Sequence, residues 1–203
     1  MSILDKAQRI FGGATAVDKD RVPPGQTVTQ KFPVLSYGQI PQIDLKTWTF
    51  EVIGLVDNPV RLTWEQFLTR ANDAVTADFH CVTGWSRLDN RWEGVFVRDL
   101  FDEARIRPTA THVMAHCYGG YTTNIPLAAL LNPDVLIAHR HDGMPLEPEH
   151  GGPARLIVPD RYAYKSAKWI KALELMPENK RGFWELHGYN ANGDPWKVER
   201  YDF

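Results

Sequence analysis

The sequence predicts an α+β fold with a mixed, mainly β core and short helices. Three observations point there. The apolar runs are short and alternate with polar residues, as half-buried strands do. Fourteen prolines and fifteen glycines break the chain too often for a helical bundle. Its 203 residues suffice for one substantial core, and no low-complexity linker or internal repeat divides them.

Met1–Thr29 reads as an N-terminal arm, mobile or wrapping, with helix only at Ile3–Phe11. Residues 30–203 read as a single domain. Lys31–Asp44 is extended, because Pro33 and Pro41 exclude a regular helix, and Tyr37-Gly38 makes a tight turn. Trp48–Leu55 alternates as a strand. Thr63 and Gln66 have the spacing of a capping box, opening a helix that ends near Arg70. Ala74–His80 is a strand that delivers Cys81 to a glycine-containing turn. Val97, Leu100, Phe101 and Ala104 share one face of a helix over 97–104. Thr111–Cys117 is a strand, and Thr122–Asn124 leads into a helix at Leu127–Leu131. Val135–His139 and Ala154–Val158 are strands, whereas Tyr162–Leu175 is ambiguous and fits one turn of helix followed by a strand. The tail from Gly182 is aromatic and turn-rich.

A net charge of -2 argues against a nucleic-acid or anionic-membrane partner. No run of about 18 apolar residues predicts a membrane span. The N-terminus shows no signal-peptide h-region and no twin arginine, and the two cysteines suit a reducing compartment. A cytoplasmic protein is expected.

Cys81 is the first chemical candidate: a soft donor at a strand end, with Trp85 and Trp92 as aromatic walls. Taken alone, a free cysteine is more often a small buried hydrophobe. His80 precedes it, but neighbours on a strand face opposite ways. No CxxC, HExxH or Cys/His cluster points to zinc. His150-Gly151-Gly152-Pro153-Ala154-Arg155 joins close-approach glycines to a bidentate anion binder; its bland alternative is a surface loop with a solvated arginine. Lys165, Ser166 and Lys168 suit a phosphate, or else form an exposed turn with solvated lysines. Tyr189 lies in a glycine- and asparagine-rich loop that presents a phenol or packs an aromatic.

The order and spacing of these segments resemble the sulfite-oxidase-like molybdopterin oxidoreductases. Within them the chain is most similar to small haem-free bacterial members related to the methionine-sulfoxide reductase catalytic subunit. The resemblance rests on FHCVTGWS with WEGV, GYTTNIPL, and DGMPLEPEHGGPARLIVPDRYAYKSAKWIK, and runs from Arg21 to Tyr201. It implies the family's molybdopterin-binding fold and a molybdenum-pterin cofactor, with Cys81 as the metal's thiolate. His150 and Arg155 match the pair holding the pyranopterin and its phosphate. Ser166, Ala167 and Lys168 match the segment closing over the phosphate, and His116 falls near a further pterin contact. Ser36 and Tyr37 stand in a pterin-contacting loop that departs from the family's Arg/Asn/His pattern. Tyr189 falls near the active-site tyrosine. Ser86 occupies the place of the arginine with which sulfite oxidases hold their anion, and CVTGWS looks more like the sulfoxide-reductase branch.

The resemblance implies oxygen-atom transfer on a small molecule, either reduction of an S- or N-oxide or a sulfite-type oxidation, with an unidentified electron-transfer partner. Without a CxxCH, no haem is expected. Two alternatives stay open: a non-catalytic molybdopterin-binding or electron-relay subunit, and a metal-free cysteine hydrolase using Cys81 with His80 or His116.

Overall fold

The computed structural model describes residues 19–202; the helix expected at Ile3–Phe11 lies outside them. In chain order the elements are β1 (Thr27–Val28), β2 (Thr49–Gly54), β3 (Val60–Thr63), α1 (Trp64–Arg70), β4 (Asp73–Cys81), β5 (Trp85–Phe96) and α2 (Val97–Ala104). There follow β6 (His112–Cys117), β7 (Thr122–Pro126), α3 (Leu127–Leu130), β8 (Leu136–His141), β9 (Met144–Pro145), β10 (Arg155–Ile157), β11 (Ile170–Met176) and α4 (Phe183–Leu186). They form two mixed sheets. One runs β1-β5-β8-β10, with β4 also on β5 and β9 on β8; the other runs β3-β2-β11-β6-β7. This is the mainly β architecture with short helices that the alternation predicts.

Local rules explain several elements. In β2, Phe50 and Val52 are buried, and in β3, Val60 and Leu62, with polar neighbours facing out. The Thr63 hydroxyl caps α1 by accepting from the Gln66 amide at 3.3 Å, while Gln66 Oε1 accepts from the Thr63 amide at 2.9 Å. α2 buries Val97, Leu100, Phe101 and Ala104. Trp48, Phe67, Leu130 and Leu173 join these in one continuous core.

Two strands lacked an alternating signature. β5 buries Ser86 and Asn90 in its first half, and its buried apolar residues, Trp92 and Val95, come only later. Each is satisfied internally: Ser86 Oγ lies 2.8 Å from His80 Nδ1, and Asn90 Nδ2 donates to the Ala77 and Arg87 carbonyls. β7, read as a lead into helix, pairs with β6 and buries Thr123 and Asn124. In the ambiguous stretch, a turn precedes β11. Within the arm segment, Thr27–Val28 lies parallel to Trp85–Ser86, and Arg21 grips Asp78 through two hydrogen bonds. Among the described residues, no helix is long and apolar enough to cross a membrane.

The rim of the first sheet carries a titrating group. The His141 ring packs 4.3 Å from Trp92 and 4.8 Å from Phe32. Burial holds its pKa down to about 4, with Asp142 raising it and Arg87 lowering it. The unfolded chain protonates near 6.5, so between these values the unfolded state binds more protons and acid favours it. The thermal midpoint of the cofactor-free protein is therefore expected to fall as pH drops from 6.5 towards 4. His141→Phe should lessen that fall without abolishing it, because burial holds His80 down to about 4 as well, as read by calorimetry across the window.

Candidate active site

The β4–β5 hairpin places Cys81. Cys81 pairs across it with Trp85, and Gly84, at φ 101°, takes the left-handed turn conformation that other residues resist. Both flanks pin the turn. Gln26 Nε2 donates to the Cys81 carbonyl at 3.2 Å, and the Arg200 guanidinium donates to the Val82 carbonyl. Phe79 and Cys81 face a cavity of about 440 Å³. His80 faces the other way, onto Ser86 and the edge of Trp196. The Cys81 sulfur lies 3.1 Å from the Thr83 hydroxyl.

The cations line another part of this cavity. Arg155 opens β10 and is buried. Its guanidinium donates to the His150 carbonyl at 2.8 Å and the Ser166 carbonyl at 2.7 Å, while its Nε–H meets no acceptor. It forms an ion pair with no carboxylate among the described residues and stands 5.1 Å from the Phe79 ring. Burial lowers its pKa to about 9. Lys168 Nζ donates to Ser36 Oγ at 2.6 Å and the Glu149 carbonyl at 2.8 Å. Burial, then the Arg155 charge, lower its pKa to about 8. The His150 ring stacks on Phe32 at 4.3 Å, its pKa lowered by burial and next by Arg155. Gly151 lets the loop approach both cations. A Cβ there would lie 2.9 Å from Lys168 Cγ and 3.1 Å from Arg155 Cβ, on a backbone with φ 103°. A buried arginine and a half-buried lysine, neither with a carboxylate partner among the described residues, make an electrostatic demand for an anion.

Ser36, Tyr37, Cys81, His150, Arg155, Ser166, Ala167, Lys168 and Tyr189 all line the cavity. Tyr37 sits at the exposed rim against Phe183, and Tyr189 packs on Trp184 and Tyr164. The Tyr189 phenol is raised in pKa by burial, then by Tyr201 and Cys81, so it keeps its proton. His116 is not brought there. Cys117 takes the core-facing position of β6, and His116, on the opposite face, meets Glu174 at 2.8 Å. Nor does Trp92 wall the cavity: it is fully buried behind the wall, and only Trp85 of the expected pair lines it. The two lysines separate, because Lys165 turns into the interior towards Glu185. Phe32, Tyr121, Tyr164 and Trp184 join the lining from segments remote in sequence, the last from α4. Their aromatic character was visible in the sequence, but nothing local marked their convergence.

The hydrolase alternative loses its base. His80 is turned away from Cys81, and His116 is engaged elsewhere. Among the described residues no group of three or more His, Cys, Asp or Glu could hold a metal. A metal at Cys81 must therefore take most of its ligands from an organic group, and the cationic cradle would hold that group's anionic end.

The family described as oxidoreductase molybdopterin binding domain matches residues 37–184. The uncharacterized oxidoreductase YuiH of Bacillus subtilis is 44% identical over 193 residues, covering 94% of this chain and 98% of that protein. The protein-methionine-sulfoxide reductase catalytic subunit MsrP of Gluconobacter oxydans is 30% identical over 73% of this chain, which spans 54% of MsrP. Among solved structures, the sulfane dehydrogenase SoxCD of Paracoccus pantotrophus shares the fold. Its TM-score is 0.61 at 22% identity, covering 68% of this chain and 40% of that one. The chain belongs to the oxidoreductase molybdopterin-binding domain family, whose cofactor is molybdenum with molybdopterin.

Proposed function

We propose that this chain catalyses oxygen-atom transfer and works as a reductase of an uncharged S- or N-oxide. The observation that carries the reading is the arrangement of one cavity. Arg155 stands there buried and without a carboxylate, and Cys81 offers a soft donor at the hairpin end. The residues fit the family's cofactor: about 440 Å³ is within the range of small-molecule sites. Arg155, Lys168, His150 and the Ser166–Ala167 backbone would hold its phosphate and pterin, with Ser36 and Tyr37 at the rim. Cys81 would bind the metal as a thiolate. The bound group supplies a metal that changes oxidation state while oxygen is gained or lost.

The protein's part follows from its own side chains. Val82, Thr83, Trp85, Tyr164 and Tyr189 line the hairpin end, and none carries a charge. Ser86 is buried on His80, and Arg87 is turned out to Asp142 at 2.6 Å. That end favours a neutral oxide over sulfite. Trp85 and Trp184 exclude water, and the protonated Tyr189 phenol can donate to an oxide oxygen. Overall, R2S=O takes up two electrons and two protons and gives R2S and water. The electrons come from a separate electron-transfer partner.

The test is turnover by the molybdenum-loaded protein with a reduced dye, offering a dialkyl sulfoxide, an N-oxide and, with an oxidised dye, sulfite. Oxide reduction without sulfite oxidation is expected. Preferred sulfite oxidation would overturn the assigned substrate class, and no turnover with any of them would mark a relay subunit.

A further inference from the structure

Behind the cavity wall lies a charge pair that the proposed reaction does not use. Lys165 and Glu185 have no exposed side-chain surface, and Nζ meets Oε1 at 2.5 Å. Lys165 Nζ also donates to the carbonyls of Asn124 and Ala191, each at 2.7 Å. The Thr123 hydroxyl donates to the same Glu185 oxygen at 2.5 Å. Asn124 ties in further, donating through Nδ2 to Asn179 and to the Ala191 carbonyl.

Each contributor grows from a segment that lines the cavity. Tyr121 stands two residues before Thr123, and Tyr164 and Ser166 flank Lys165. Trp184 precedes Glu185, and Tyr189 follows four residues on. Two tyrosine bonds repeat the connection: Tyr121 donates to the Tyr164 carbonyl at 2.7 Å, and Tyr164 to the Asn190 carbonyl at 2.6 Å. The network therefore joins β7, the 162–166 turn and the C-terminal segment.

Packing alone does not account for such a pair. Desolvating two charges costs about as much as their attraction returns, and apolar residues of similar volume often do as well or better. An apolar pair would fill the space, but it would not fix three backbones through directional bonds.

We propose that Lys165 and Glu185 form a positioning pair that sets where Trp184 and Tyr189 stand relative to Cys81. The consequence for the metal centre rests on the cavity reading above. The test is chosen to separate the two ideas and needs no turnover.

Two variants decide it: Glu185→Gln, and the double variant Lys165→Met/Glu185→Leu. Each is read by thermal midpoint, by amide hydrogen exchange over residues 183–191, and by the electron paramagnetic resonance signal of the molybdenum-loaded protein. Glu185→Gln strips the buried ammonium of its counter-charge, so its midpoint should fall, but it keeps an acceptor for Lys165 and Thr123, so its signal should stay close to the wild type. The double variant should keep a near-wild-type midpoint, exchange the 183–191 amides at least ~10-fold faster, and show an altered signal. A double variant that matches the wild type in exchange and signal would overturn the proposal. So would a Glu185→Gln signal departing as far as that of the double variant. A double variant that does not fold would assign the pair to folding, which also overturns it. Wild-type protein that binds no molybdenum would sink the cavity reading, while the exchange comparison would still decide this one.

Discussion

Cys81→Ser is expected to fold as the wild type does and to lose oxide reduction by more than about a hundredfold, beyond what removal of an outer-shell partner costs. The hairpin explains the first half. Its turn is held by Gly84, by Gln26 on the Cys81 carbonyl and by Arg200 on the Val82 carbonyl, none of which involves the sulfur. Serine fits the same space and keeps a contact with Thr83. The donor explains the second half, since a hard hydroxyl replaces a soft thiolate at the metal. The cationic cradle is untouched, so pterin content should stay near the wild type while turnover disappears. Circular dichroism, pterin fluorescence after release and the dye assay measure the three together.

Arg155→Met should act in the opposite way, on cofactor retention rather than on the chemistry. The guanidinium is buried without a carboxylate, and its lowered pKa reflects that desolvation. Removing it relieves several kcal/mol of desolvation. It also loses two bonds to carbonyls, each about 1.5–3 kcal/mol for a charged donor. These terms offset, so the cofactor-free variant should melt near the wild type. A bound anion, however, would lose a buried charged partner, which costs about 2–5 kcal/mol. Molybdenum and pterin retained after dialysis should fall at least ~10-fold together, as elemental analysis and pterin fluorescence would show. Arg155→Lys should recover only part, because an ammonium cannot reproduce the guanidinium's planar fork.

What the sequence disclosed follows from how local each signal was. The capping box at Thr63 and the apolar face of α2 depend on residues three or four apart, and both were readable. The cradle was readable for a similar reason: His150, Gly151 and Arg155 are close in sequence, as are Ser166 and Lys168. β5 and β7 were hidden because they bury Ser86, Asn90, Thr123 and Asn124, whose partners lie elsewhere in the chain. The cavity wall was hidden too, since Phe32, Tyr121 and Trp184 meet only through the tertiary fold. The resemblance points to His116, and closeness in sequence to Cys81 points to Trp92. Strand pairing and packing turned both side chains away from the cavity.

The cavity is proposed to hold the family's cofactor with Cys81 on the metal. X-ray absorption at the molybdenum edge tests it most directly, comparing loaded wild-type protein with Cys81→Ser. One fewer sulfur neighbour around molybdenum is expected in the variant. An unchanged sulfur shell in the two proteins would contradict it.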